Sequence, residues 1–192
     1  MTGRLQGPGP GHNRGPELEG ETAWRAYAWG RARAALLPNL PIEVVRLHVR
    51  RAAELGLPYR TYAGVRAASG RDVIGFLFSS NALRALRAGQ PMPPDRAAQL
   101  ARLVAADRVA LVHPPQDPAR FGPPLDAAYA APGFIDPWPV MRDTIAGIIR
   151  ARGRPADGYI VVGETAFERE WAEAGRTAGF LTGERYFTSP GA

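Results

Sequence analysis

Three short runs of nearly continuous apolar residues interrupt this chain, and stretches of helical periodicity lie between them. The runs are Val73 to Phe78, Val109 to Val112 and Tyr159 to Val162. Each is too short for a buried helix and sits between turn-forming residues, the pattern of a strand buried on both faces. Ahead of them, Trp24, Ala28, Ala32 and Ala35 recur at helical spacing from Glu21 to Leu37, where Pro38 stops the pattern. A second helix is predicted from Pro41 to Leu55, with Ile42, Val45, Val49 and Ala52 on one face. Glu43, Arg46, Arg50 and Glu54 form its opposite stripe, at spacings that pair on a helix surface. A shorter helix spans Arg60 to Ser69 and gives way to a turn at Gly70, Arg71 and Asp72.

Further helices are predicted over Asn81–Ala88, Asp95–Ala106, Val140–Arg152 and Ala166–Ala178. Residues 114–139 are rich in proline and show no period, which reads as a long surface excursion or lid. Doubly buried strands separated by helices require a parallel sheet covered on both sides. The expected fold class is therefore α/β, a small three-layer sandwich with a parallel sheet of at least three strands, preceded by an N-terminal helical segment. Closely spaced glycine and proline in residues 1–20 read as a flexible arm. Residues 21–192 read as one domain, with the helical segment over 21–70 and the sheet-containing core over 71–189.

Composition narrows the picture. There is no cysteine, which excludes disulfides and thiolate metal sites and leaves nothing to argue for an oxidising compartment. No apolar run approaches the roughly 20 residues that span a bilayer. A cytoplasmic protein with no membrane partner is the expectation. The net charge of +6 raises the question of a nucleic-acid partner, yet all 24 basic residues are arginine amid abundant alanine, glycine and proline. That is also what a GC-rich coding sequence imposes, so the charge has two readings.

Candidate chemistry concentrates at the carboxyl ends of the three strands, where open parallel sheets bind ligands. Those ends carry Ser79, Ser80 and Asn81; then His113; then Glu164 and Thr165, with Glu168 one helical turn on. Hydroxyls, an amide and helix N–H groups suit a phosphorylated or otherwise anionic small ligand, and the carboxylates of Glu164 and Glu168 suit Mg2+. His113 stands where a general base would, and equally where an ordinary hydrogen-bonded histidine would.

Residues 161–180, VVGETAFEREWAEAGRTAGF, resemble the last motif of the haloacid dehalogenase-like superfamily, a strand running into Gly-Asp with a second acid four residues later. Residues 76–86, FLFSSNALRAL, are similar to that superfamily's second motif, where a hydroxyl holds a phosphoryl group. The resemblance implies that Glu164 and Glu168 take the acidic positions. No Asp-x-Asp motif precedes Val73, so the resemblance supplies no nucleophile, and lysine, the usual occupant of that superfamily's third motif, is absent from the chain. Binding without efficient phosphoryl transfer is what it implies here, and no catalytic residue is assigned.

A different class of function is suggested by residues 50–68, RRAAELGLPYRTYAGVRAA, whose outline is that of a helix-turn-helix. In that reading Arg60, Thr61, Arg66 and Arg71 meet nucleic acid, and the protein is a nucleic-acid-binding or phage-associated accessory protein. Oligomeric state leaves no trace in the sequence.

Overall fold

The computed structural model describes residues 40–188. The arm over 1–20 and the helix expected over Glu21–Leu37 lie outside the described residues. Four helices start directly after a proline whose φ lies between −54° and −60°: α1 (Ile42–Glu54) after Pro41, α2 (Tyr59–Ser69) after Pro58, α3 (Pro94–Ala101) after Pro93 and α4 (Trp138–Ala151) after Pro137. The ring holds φ in place and has no N–H to offer, so the helix cannot extend backwards. Gly70 ends α2 at φ +71°, a left-handed conformation that glycine adopts without strain.

Five strands form one parallel sheet in the order β3-β2-β1-β4-β5: β1 Gly75–Ser79, β2 Asp107–Val112, β3 Ala127–Ala130, β4 Tyr159–Gly163 and β5 Gly179–Thr182. The fold is α/β, with helices on both faces of the sheet. The three apolar runs of the sequence are its three central strands, with β1 in the middle. Side chains alternate across it. Phe76, Phe78, Ala110, Val112, Ile160 and Val162 pack towards α1, α2 and α3, and towards Tyr186 of the short helix α6 (Gly183–Thr188). Leu77, Val109, Leu111, Tyr159 and Val161 pack towards α4 and towards Trp171 of α5 (Ala166–Ala174). The chain runs outward from β1 to β3, crosses back to β4 and then runs the other way, and right-handed crossovers put the two sets of helices on opposite faces.

Three segments differ from the sequence reading. No helix forms over 81–88: Arg84 adopts φ +55°, and the side chain of Gln90 accepts hydrogen bonds from the N–H groups of Leu86 and Arg87, which a helix would have paired internally. The proline-rich stretch 114–139 contains β3 and a single 3-10 turn, Pro118–Arg120. The helix entered at Ala166 stops at Ala174, so that Gly179–Thr182 can join the sheet as β5.

Arginine side chains fasten the amino end of the sheet. Arg51 of α1 donates to Asp72 (3.1 Å), Glu54 (3.1 Å) and the carbonyls of Val73 (3.0 Å), Val104 (2.9 Å) and Ala105 (3.1 Å). A single guanidinium thereby joins a helix, the entry to β1 and the entry to β2. Arg152 makes a two-pronged pair with buried Asp107, which also accepts from the Tyr159 hydroxyl. Arg108 and Asp126 make another such pair and set β3 against β2. Replacing Arg51 by methionine keeps the stem and removes all five bonds, leaving the part-buried carbonyl of Val73 and the exposed carbonyls of Val104 and Ala105 without this donor. The variant is expected to lose about 2–4 kcal/mol of stability. Urea unfolding checks this as a lower midpoint at unchanged slope.

Candidate functional site

The carboxylate of Glu168 is the centre of the sheet's carboxyl edge. Glu168 sits in the first turn of α5 and is fully buried. Its Oε2 accepts from the backbone N–H groups of Glu164 (2.6 Å) and Thr165 (2.9 Å), just beyond β4. Its Oε1 accepts from Asn81 Nδ2 (3.0 Å), beyond β1, and from His113 Nε2 (2.9 Å), beyond β2. A carboxylate can only accept, so Nε2 of His113 carries the hydrogen. The Thr165 hydroxyl accepts from the Glu168 N–H in return, which completes a capping box. Gly163 makes the approach possible, because a Cβ there would lie 2.8 Å from the Glu168 Cβ and 3.0 Å from its Oε2.

The two serines are buried parts of the same network. Ser79 Oγ accepts from the Ala82 N–H, and its hydroxyl helps to hold the Glu168 carboxyl down. Ser80 Oγ accepts from the His113 N–H. The His113 ring lies between Trp171 (centroids 5.2 Å apart) and Phe134 (5.5 Å), and Phe134 in turn stacks on Phe167 at 4.6 Å. The side chain of Phe134 is nevertheless largely exposed. Ser79, Ser80, Asn81, His113, Thr165 and Glu168 thus form one network whose polar atoms mostly bond to each other.

Burial by itself would raise the Glu168 carboxyl, but the donations from His113, the Glu164 N–H, Ser79 and the Thr165 N–H outweigh it and bring the carboxyl down to about 2. The positive end of α5, where an external anion would bind, is therefore occupied by the chain's own carboxylate. With these donors in place, Glu168 has no lone pair directed at a cation. Among the described residues no group of three or more His, Asp or Glu side chains is disposed to hold a metal ion.

Glu164 has a different environment. Its Oε1 is buried and has no hydrogen-bond partner among the described residues; the nearest cation, Arg84 Nη2, is 3.7 Å away. Gly183, at the end of β5, lets the same oxygen approach, since a Cβ there would lie 2.6 Å from it. Arg96 of α3 lies over the ring of Phe187, with Cζ 4.3 Å from the centroid, and its Nη1 is also buried and unpartnered. Burial chiefly, and then the like charge of Arg84, hold the Arg96 guanidinium below its ordinary range, partly offset by Glu164. Sequence reasoning missed Arg84 and Arg96. Only Arg84 could have been singled out, by its place just after the Ser-Ser-Asn end of a strand.

None of the residues read as a nucleic-acid contact bonds to the Glu168 network. Arg60 is exposed on α2, whereas Thr61 is buried and accepts from Arg185. Arg66 lies 3.9 Å from Asp72, and Arg71 pairs with Asp157 at 2.7 Å. Among the described residues no helix is long and apolar enough to cross a membrane. Compared with models of known protein families, with curated proteins and with solved structures, the chain matches none.

Folding lowers the Glu168 carboxyl from 4.5 to about 2. A depressed folded value adds stability that is full above about pH 5 and is lost as pH falls towards 2, about 3 kcal/mol in all. Glu168→Gln is therefore expected to be less stable than the parent by about 3 kcal/mol at neutral pH, with the gap closing towards pH 2. Urea titrations at a series of pH values measure this, and a gap independent of pH would show that the ionisation contributes nothing.

Proposed function

We propose that the protein binds a small anionic ligand, phosphorylated or carboxylated, at the carboxyl edge of a Rossmann-like sheet, without efficient phosphoryl transfer. The observation that carries this reading is the pair of buried, unpartnered atoms at that edge, Arg96 Nη1 and Glu164 Oε1, with Arg84 beside them. Two guanidiniums that raise each other's free energy would both be relieved by an anion between them. Their place also fits: the strand order 3-2-1-4-5 reverses direction between β1 and β4, and ligands of such sheets bind beyond the strand ends at that reversal. Ser79, Ser80, Asn81, His113, Thr165 and Glu168 form the floor of the site. Glu164 then accepts a hydrogen from a ligand hydroxyl or holds Arg84 in place. The likeness of residues 76–86 and 161–180 to haloacid dehalogenase-like motifs supports the phosphorylated class, and the absence of an Asp-x-Asp nucleophile supports binding over turnover.

The nucleic-acid reading draws on the net charge and on Arg60. It has less support, because Thr61 faces inward and Arg66 and Arg71 stand beside carboxylates.

A thermal-shift titration with inorganic phosphate, pyrophosphate and a panel of phosphorylated and carboxylated metabolites, with and without Mg2+, tests the proposal. A ligand at about a hundred times its Kd should stabilise the native state by about 2.7 kcal/mol. Arg84→Gln and Arg96→Gln should each weaken that ligand about tenfold, the loss of one charge-assisted bond. No shift with any compound, or a shift that neither variant alters, overturns the site. Binding of duplex DNA that falls steeply with salt and is weakened by Arg60→Ala would favour the other reading.

A further inference from the structure

Beside the Arg84 and Arg96 edge, the proline-rich connections after β1 and β2 line an open cavity of about 270 Å³. Met92, Phe121 and Leu125 supply its apolar surface, and each also packs against the main core. One wall is built by Gln116, a buried side chain that accepts from the Gly89 N–H (3.2 Å) and donates to the Gln90 carbonyl (2.9 Å). Both ends of that amide are engaged, so it fixes the two connections to each other and leaves the polar contacts of a guest to other groups. The one charged side chain lining the cavity is Arg120. Its guanidinium stands over the bare backbone of Gly89, 3.6 to 3.7 Å from where a Cβ would be, and Gly89 is held at φ +73°, where a larger residue would be strained. Among the described residues no carboxylate pairs with the Arg120 guanidinium and nothing accepts a hydrogen bond from it; the Arg120 backbone N–H donates to the Asp117 carbonyl.

We infer that this cavity is a second ligand site, and that it takes a small monocarboxylic acid with an apolar body. The apolar surface of Met92, Phe121 and Leu125 matches the body of such a molecule, and an unpaired guanidinium at the rim matches its carboxylate, which it can grip with two parallel hydrogen bonds. The volume limits the guest to the size of a single ring or a short chain, since a pocket of this kind has to bury most of its ligand's surface. Its lining includes none of Asn81, Arg84, Arg96 and Glu164, although Gln90 donates to the Arg84 carbonyl (3.0 Å) and Ala97 follows Arg96 on α3, so the amide signals that move decide which of the two sites is filled.

Phenylacetate, with phenylacetamide and acetate as controls, is the probe, and the readout is the backbone amide spectrum of the full chain labelled with nitrogen-15. Phenylacetate should move the signals of Gly89, Gly122 and Leu125 saturably, while phenylacetamide and acetate each bind at least about tenfold more weakly. Arg120→Gln, a substitution at an exposed side chain, should weaken phenylacetate about tenfold and leave phenylacetamide unchanged. Ala97→Phe, which fills the cavity from α3, should block both compounds while the remaining amide signals keep their positions. The inference is overturned if phenylacetate produces no saturable shift, if the amide binds as well as the acid, or if either variant binds phenylacetate as the parent does.

Discussion

A buried carboxylate would ordinarily lose far more by leaving water than one contact could return. Glu168 avoids that loss because the ends of β1, β2 and β4 all turn donors towards it: an amide and a hydroxyl from Asn81 and Ser79, an imidazole from His113, and two backbone N–H groups from Glu164 and Thr165. Each strand end is therefore fixed relative to the others by its bond to the same two oxygens. Gly163 leaves the space, and the capping box orients the helix that carries the carboxylate. Removing any one donor leaves the charge less compensated and the remaining donors without a common acceptor.

The same arrangement decides what the edge can still do. In many parallel sheets the helix N-terminus after a central strand is a vacant anion site. Here it is filled from within, so positive charge available to an outside molecule has to come from side chains, and Arg84 and Arg96 are the ones that stand there. Glu164 is the counterpart: four residues before Glu168 and similar in sequence context, it has an oxygen buried without a donor, where the two oxygens of Glu168 accept four hydrogen bonds.

Arginine has two uses in this molecule. Arg51, Arg108 and Arg152 are held in fixed geometry at the amino end of the sheet, and their bonds go to carboxylates and strand-entry carbonyls. These guanidiniums are structural and contribute little to the field a polyanion would meet. The count of 24 arginines therefore overstates the cationic surface, since several lie beside acidic partners whose charge the net +6 already subtracts. Among the described residues, four prolines precede helices directly and others shape the two connections around the cavity.

The three central strands were legible in the sequence because a strand covered on both faces must be apolar at successive positions, a local signature that needs no partner to be read. From their parallel pairing it also followed that Ser79, Ser80, Asn81, His113, Glu164 and Thr165 lie along one edge. The outer strands were not legible. Ala127-Ala128-Tyr129-Ala130 is mostly alanine, a weak strand former, within a proline-rich stretch, and Gly179-Phe180-Leu181-Thr182 has only two large apolar residues; both are strands because β2 and β4 offer them a row of backbone partners. Asn81–Ala88 shows the converse: its residue types favour a helix, but Gln90 and the left-handed Arg84 close a different turn. At the edge itself, residue types could suggest hydroxyls and carboxylates but not which of them would bond to each other. That Glu168 is saturated, Glu164 is not, and Arg96 reaches the same edge from α3 was decided only when distant segments packed together, because hydrogen-bond satisfaction is a property of the neighbours a side chain meets and not of the side chain.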